Sequence, residues 1–199
     1  MWKNYKKLKN FFNSLLRDIM TKKIILLNGK AGSGKDYLAN WLVENKGYIK
    51  MAFADELKKM TASWYNVPIE TFLTQEGKNS YLPNKFITAR TALISTAKNI
   101  KRNDIYFFVK IIKDKIDEAF EKGIEKIVIS DYRFIEEYYY LMTYYREYLE
   151  TIHIERKNHR TYVFDASETA LQNFLFMKKI ENPDDETTNE EFSRIFIDY

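Results

Sequence analysis

Cysteine is missing from all 199 residues, and histidine occurs only at His153 and His159. These absences exclude a disulfide framework and any thiolate metal site, and they suit a reducing compartment, so a cytoplasmic protein is expected. No apolar run approaches the roughly 20 residues that cross a bilayer, and the first residues lack the continuous apolar stretch of a signal peptide. Internal repeats and low-complexity segments are absent as well. Net positive charge is confined to one segment. The net charge of +4 comes from residues 1–23, where seven Lys/Arg face only Asp18, so the remaining chain is slightly acidic. A broad nucleic-acid face needs clustered cations, so no stable nucleic-acid partner is expected. The 15 Tyr and 14 Phe read as packing material rather than as a base-stacking surface.

What is present begins with an amphipathic stretch over residues 1–20, with Tyr5, Leu8, Phe12, Leu15, Leu16 and Ile19 on one helical stripe. It reads as a helix docked on the domain or on a partner subunit, which leaves a homodimer among the expectations, or as a basic helix at a membrane surface. Residues 21–199 then alternate between strand and helix patterns. Strands are expected at Lys23–Asn28, Tyr48–Phe53, Lys126–Ser130 and Thr151–Glu155, followed by an apolar run at Phe174–Ile180. Helices are expected from Lys35 to Asn45, Asp55 to Tyr65, Ile87 to Ile100, Asp104 to Lys122 and Phe134 to Tyr148, with a helix start at Ser167 and a last amphipathic turn from Asn189 to Phe196. The segment from Pro68 to Lys85 is polar and reads as turns. This alternation predicts an α/β fold with a parallel sheet of about five strands covered by helices on both faces.

Between the first strand and the first helix lies Gly29-Lys30-Ala31-Gly32-Ser33-Gly34-Lys35-Asp36. The spacing G-x-x-x-x-G-K in a strand–loop–helix context is that of a phosphate-binding loop. Glycines permit positive φ, so backbone N–H groups can surround phosphate oxygens at the positive end of the following helix, and Lys35 supplies a cation for a transferred phosphoryl group. Asp36 stands where Ser or Thr normally meets Mg²⁺. A carboxylate is also a hard oxygen ligand, which makes Asp36 a candidate metal ligand, but its charge near the phosphates requires a metal or a nearby Lys/Arg to offset it.

Asp131 ends the strand pattern of Ile127 to Ser130, at the sheet edge that faces ligands in open α/β folds. It is read either as an organiser of Mg²⁺ or acceptor phosphate or as an acidic helix cap. Arg133 offers a fork of donors to a phosphate. The loop from Arg156 to Arg160 could bring further cations to a water-excluding site, as a lid over about residues 156–168, or be a solvated turn.

Taken together, GKAGSGKD, Phe53 to Lys58 (FADELK), Arg90, Asp131-Tyr132-Arg133 with Glu137, His153 to Arg156, Ser167-Glu168 and Asn182 resemble the deoxynucleoside monophosphate kinases of large bacteriophages. These belong to the P-loop nucleoside monophosphate kinases. Tyr37 and Asp165 depart from the family pattern. The resemblance implies a three-layer P-loop kinase fold with a short lid, Mg·ATP as donor and a deoxynucleoside 5′-monophosphate as acceptor, in a host cytoplasm if the protein is viral. It implies that Gly29 to Asp36 and Asn182 serve the donor. Asp55, Lys58, Arg90, Arg133 and Glu137 would serve the acceptor, Asp36 and Asp131 the metal, and Lys35, Asp131, Arg133 and Arg156 the transfer. Two other readings remain open: a P-loop kinase with a hydroxyl acceptor, such as hydroxymethyluracil in DNA or dephospho-coenzyme A, and a non-catalytic nucleotide-binding interaction module.

Overall fold

The computed structural model describes residues 21–156, 170–183, 185, 187–197 and 199. The expected N-terminal helix, the lid beyond Arg156, His159 and the helix start at Ser167 lie outside them. Among the described residues, five strands form one parallel sheet in the order β2-β3-β1-β4-β5. They are β1 (Lys23–Asn28), β2 (Ile49–Met51), β3 (Lys126–Ile129), β4 (Leu149–Arg156) and β5 (Lys178–Asn182). The chain has an α/β fold built on a five-stranded parallel sheet, as the alternation of strand and helix patterns predicts.

Alternating residues of β1 explain the layers. Ile24 and Leu26 face one side, where they join Ile127, Ile129 and the apolar stripe Phe108, Val109, Ile112 and Ile116 of a helix spanning Phe107–Glu121. Ile25 and Leu27 face the other side, with Val128, Ile152, Ile154 and Ile180. Leu38, Trp41 and Leu42 cover that side from α1 (Lys35–Lys46), together with Phe192 of a helix over Thr188–Ile195. Both faces of β1 are therefore fully buried, as its unbroken apolar run requires.

Three further helices lie between β2 and the Phe107–Glu121 helix. They are α2 (Phe53–Tyr65), the short α3 (Gln75–Asn79) and α4 (Ala89–Asn103). A 3₁₀ turn, Ile69–Phe72, precedes α3. Their contacts make a separate apolar cluster of Ala62, Phe72, Leu82, Ala89 and Ala92. The Phe107–Glu121 helix is α5, Ile135–Tyr145 is α6 and Thr188–Ile195 is α7.

Several boundaries differ from the sequence expectation. Helix α2 begins at Phe53 rather than Asp55 because the Asp131 carboxylate, far along the chain, accepts from both Phe53 N and Ala54 N at 2.8 Å. Helix α3 arises inside the segment expected to be turns, with Thr74 Oγ1 accepting from Gly77 N at 3.0 Å. Thr88 caps α4 by accepting from Thr91 N, so that helix starts at Ala89 and runs on to Asn103. The helix expected from Phe134 ends at Tyr145 and tightens into a 3₁₀ turn over Arg146–Tyr148, while β4 starts two residues earlier than expected, at Leu149. Strand β5 is displaced to Lys178–Asn182, so Asn182 closes the strand instead of following it.

Candidate active site

The phosphate loop joins β1 to α1 at the carboxyl edge of the sheet. Gly29, Gly32 and Gly34 have φ of 151°, 78° and 99°. A Cβ at Gly29 would lie 2.3 Å from the Ile154 carbonyl, so the loop runs against β4 too closely for any side chain there. Loop carbonyls are held from several directions: Asn182 Nδ2 donates to Ser33 O at 3.2 Å, and Arg156 Nη1 donates to Gly32 O at 3.2 Å. Lys35 is buried, and its ammonium donates to the carbonyls of Gly29 and Lys30, the latter at 2.7 Å. Among the described residues, Ser33 Oγ is buried with no hydrogen-bond partner. An orphaned hydroxyl beside a buried ammonium, in a glycine loop at a helix N-terminus, is a set of groups that suits the oxyanions of a nucleotide.

Beside this loop, Arg156, Asn182, Gly34, Tyr37, Asp185 and Thr188 line a cleft of about 380 Å³. Tyr37 leans on the Phe192 ring and donates from its hydroxyl to Asn189 Oδ1 at 2.8 Å. Asn182 is buried, with Thr188 Oγ1 donating to its Oδ1 at 3.4 Å. Both ends of its amide therefore meet protein, which makes it a strut between the phosphate loop and the start of α7.

Across the edge of the sheet, Lys78 on α3 lies within electrostatic reach of Lys58, Arg90 and Arg133. Burial first, and then these three cations, depress its pKa, while Asp36 across the site opposes them. Lys58 Nζ meets Asp55 Oδ1 at 3.1 Å. Arg90 donates from Nε to Asn79 Oδ1 at 3.1 Å and from Nη2 to Gln75 Oε1 at 2.8 Å, which fastens α3 to α4. Lys78 is thus within electrostatic reach of each of three residues that the sequence reading assigned to the acceptor, Lys58, Arg90 and Arg133. Sequence reasoning missed Lys78 because its helix carries no apolar periodicity.

Asp131 caps α2 through both carboxylate oxygens, and burial raises its pKa against the pull of those two amides and of Arg133. Of the two sequence readings, the helix cap is therefore realised, on α2, and any contact with a metal would use the remaining lone pairs. Glu137 is buried behind the site. Its Oε2 accepts from Arg133 N at 3.0 Å and Phe134 N at 3.1 Å, so it fixes the turn that carries Arg133. Burial pushes its pKa up to about 7, with Lys101 opposing and Asp131 adding to the rise.

Asp36 is exposed at the mouth of the loop. Burial works against its ionisation, but Lys50, Lys35 and the Ser130 hydroxyl prevail and hold it below the usual carboxylate value. Lys50 Nζ meets Asp36 Oδ1 at 2.6 Å. The offsetting cation that an Asp at this position requires is therefore a side chain of the short strand β2, whose three residues give no pattern by which to find it. Among the described residues no group of three or more acidic or histidine side chains converges on a metal position. Mg²⁺ is commonly held by one or two carboxylates together with substrate phosphates and water; of the two expected ligands, Asp36 is exposed and paired with Lys50, while both oxygens of Asp131 accept backbone amides.

No protein-family model matches the chain, and no curated protein matches it in sequence. Among solved structures it is similar to a sugar kinase from Janibacter sp. HTCC2649, at 13% identity and a TM-score of 0.43, over 80% of this chain and 84% of that one. It is also similar to a gluconokinase from Sinorhizobium meliloti 1021, at 12% identity and a TM-score of 0.42, over 90% and 99%. No described helix is long and apolar enough to cross a membrane.

Proposed function

We propose that this protein is an ATP-dependent kinase that transfers the γ-phosphoryl group to the phosphate of a nucleoside monophosphate, with a deoxynucleotide as the favoured acceptor. The observation that carries this reading is that Lys78 lies within electrostatic reach of Lys58, Arg90 and Arg133 and also of Asp36, which follows the phosphate-loop lysine. Lys58 is paired with Asp55, and a phosphate monoester, with about two negative charges, would further offset the cations around Lys78.

In this reading Lys35 leaves the carbonyls of Gly29 and Lys30 and follows the phosphoryl group, while the loop amides and the Ser33 hydroxyl hold the donor phosphates. An acceptor phosphate oxygen forms a bond to the γ-phosphorus as the bond from that phosphorus to the bridging oxygen of ADP breaks. No proton need be removed, so positioning and charge supply the catalysis. Arg133, fixed by Glu137, and Arg156, at the loop rim, neutralise the transferring group. Asp36, with help from Asp131, would hold Mg²⁺, which would supply electrostatic stabilisation of the phosphates when bound.

A hydroxyl acceptor would require a general base. Asp131 accepts two amides and Asp55 is paired with Lys58, which speaks against either serving as that base. The test is ATP turnover with Mg²⁺ across all ribo- and deoxynucleoside monophosphates, dephospho-coenzyme A, gluconate and hydroxymethyluracil-containing DNA. Turnover confined to nucleoside monophosphates supports the proposal. Turnover only with a hydroxyl acceptor, or nucleotide binding without turnover on any of them, overturns it.

A further inference from the structure

The ion pair between Asp36 and Lys50 is placed unlike an ordinary surface pair. Lys50 is the middle residue of β2, aligned with Val128 of β3, and the next residue, Met51, accepts from Ser130 N at 3.1 Å. The strand therefore aims the lysine from the sheet edge at the first turn of α1. There its ammonium meets two side-chain oxygens on one helix face, Asp36 Oδ1 at 2.6 Å and, one turn on, Asn40 Oδ1 at 3.2 Å. Asp36 directly follows Lys35, and without Lys50 its negative charge beside bound phosphates would lose its closest cation. A pair of hard oxygens with a monovalent cation between them, beside a phosphate loop, is also a place where a divalent ion would find ligands.

We propose that Lys50 is a tethered counter-cation that neutralises Asp36 while no metal is bound and gives way to the divalent ion when a metal nucleotide enters. The proposal rests on the kinase reading above. It makes metal affinity and metal-free nucleotide affinity depend on Lys50 in opposite directions. Without Lys50, Asp36 is free to hold a metal but repels phosphates.

The test uses the full chain as wild type and as Lys50→Met, Lys50→Arg, Asp36→Asn and the Asp36→Asn/Lys50→Met double variant, with folding checked by circular dichroism. Two quantities are read. Mn²⁺ affinity of the nucleotide-free protein comes from electron paramagnetic resonance, and ADP affinity in excess EDTA comes from calorimetry. Lys50→Met should bind Mn²⁺ roughly two- to fivefold more tightly and metal-free ADP more weakly by a similar factor, the scale of one partly screened ion pair. Lys50→Arg should stay near wild type, and the double variant should regain wild-type ADP affinity in EDTA.

Asp36→Asn alone should tighten metal-free ADP, a reading that stands even if Lys50→Met does not fold. Unchanged affinities in both Lys50→Met and Asp36→Asn, or weaker Mn²⁺ binding in Lys50→Met, would overturn the proposal. Wild-type protein that binds ADP but shows that insensitivity removes this inference alone. Wild-type protein that binds no ADP under any condition removes the kinase reading and this inference with it.

Discussion

A methyl group at position 34 would lie 2.3 Å from Asn182 Nδ2, on a residue whose φ is already 99°. Gly34→Ala therefore combines backbone strain with displacement of the strut that holds Ser33 O. It should cost about 1–3 kcal/mol of stability and weaken ADP binding by at least roughly tenfold. Gly123 also has positive φ, 78°, but a Cβ there would meet nothing within 4 Å. Gly123→Ala should thus cost about 1 kcal/mol from strain alone and leave ADP affinity unchanged. Thermal unfolding and ADP calorimetry on the two variants separate close approach from conformation.

Glu137 offers a pH test of the same kind. Its carboxyl, pushed up to about 7 in the folded protein, ionises near 4.5 when unfolded. The unfolded chain thus releases this proton first as pH rises, so the group's contribution to stability is complete below about pH 4.5 and is lost on rising through pH 7. The stability advantage of wild type over Glu137→Gln should shrink between pH 5 and pH 8, by up to on the order of 3 kcal/mol. Paired urea titrations across that range measure it, and an advantage that grows with pH would contradict the burial argument.

At the scale of elements, Asp131 ties the end of β3 to the start of α2. Its position after a buried strand was readable, because an acid following Ile127 to Ser130 stands out. Its partners were not, since the capped amides of Phe53 and Ala54 lie 78 and 77 residues away. Helix ends set by local chemistry were closer to legible: Gly123 stops α5 in the left-handed conformation, as its position after Lys122 suggests. Asp131→Ala should leave two N–H groups without their acceptor and lose about 1–3 kcal/mol. Asp131→Asn retains one acceptor and should lose roughly half as much. If Asp131 also serves the metal, the Asn variant should need more Mg²⁺ for half-maximal turnover although it remains folded at the assay temperature. Stability curves and Mg²⁺ titrations of the two variants distinguish capping from metal chemistry, because capping alone leaves the Mg²⁺ requirement of the folded fraction unchanged.

For the molecule as a whole, the central sheet was legible because β1 and β3 are short apolar runs bounded by polar residues, and the phosphate loop was legible because its spacing is local. The segments that carry Lys58, Lys78 and Arg90 were less legible as structure, because they are polar and meet in part through a small cluster in which Phe72 and Leu82 are almost completely buried among Ala62, Ala89 and Ala92. That cluster predicts that the two halves of the site can be damaged independently. Phe72→Ala should leave a cavity costing about 3–5 kcal/mol where it falls, against α2 and α4, which carry Lys58 and Arg90. The phosphate loop rests instead on Ile154 and Asn182, on the far side of β1. Acceptor KM should therefore rise by at least roughly tenfold while ADP affinity stays within about twofold of wild type, because local opening of one cluster lowers only the competent fraction of the site that it supports. Steady-state kinetics with ATP and acceptor varied independently, together with ADP calorimetry below the unfolding transition, would check this. Equal losses on both sides would mean that the cluster and the sheet unfold as one cooperative unit, and that the acceptor segment has no stability of its own to tune.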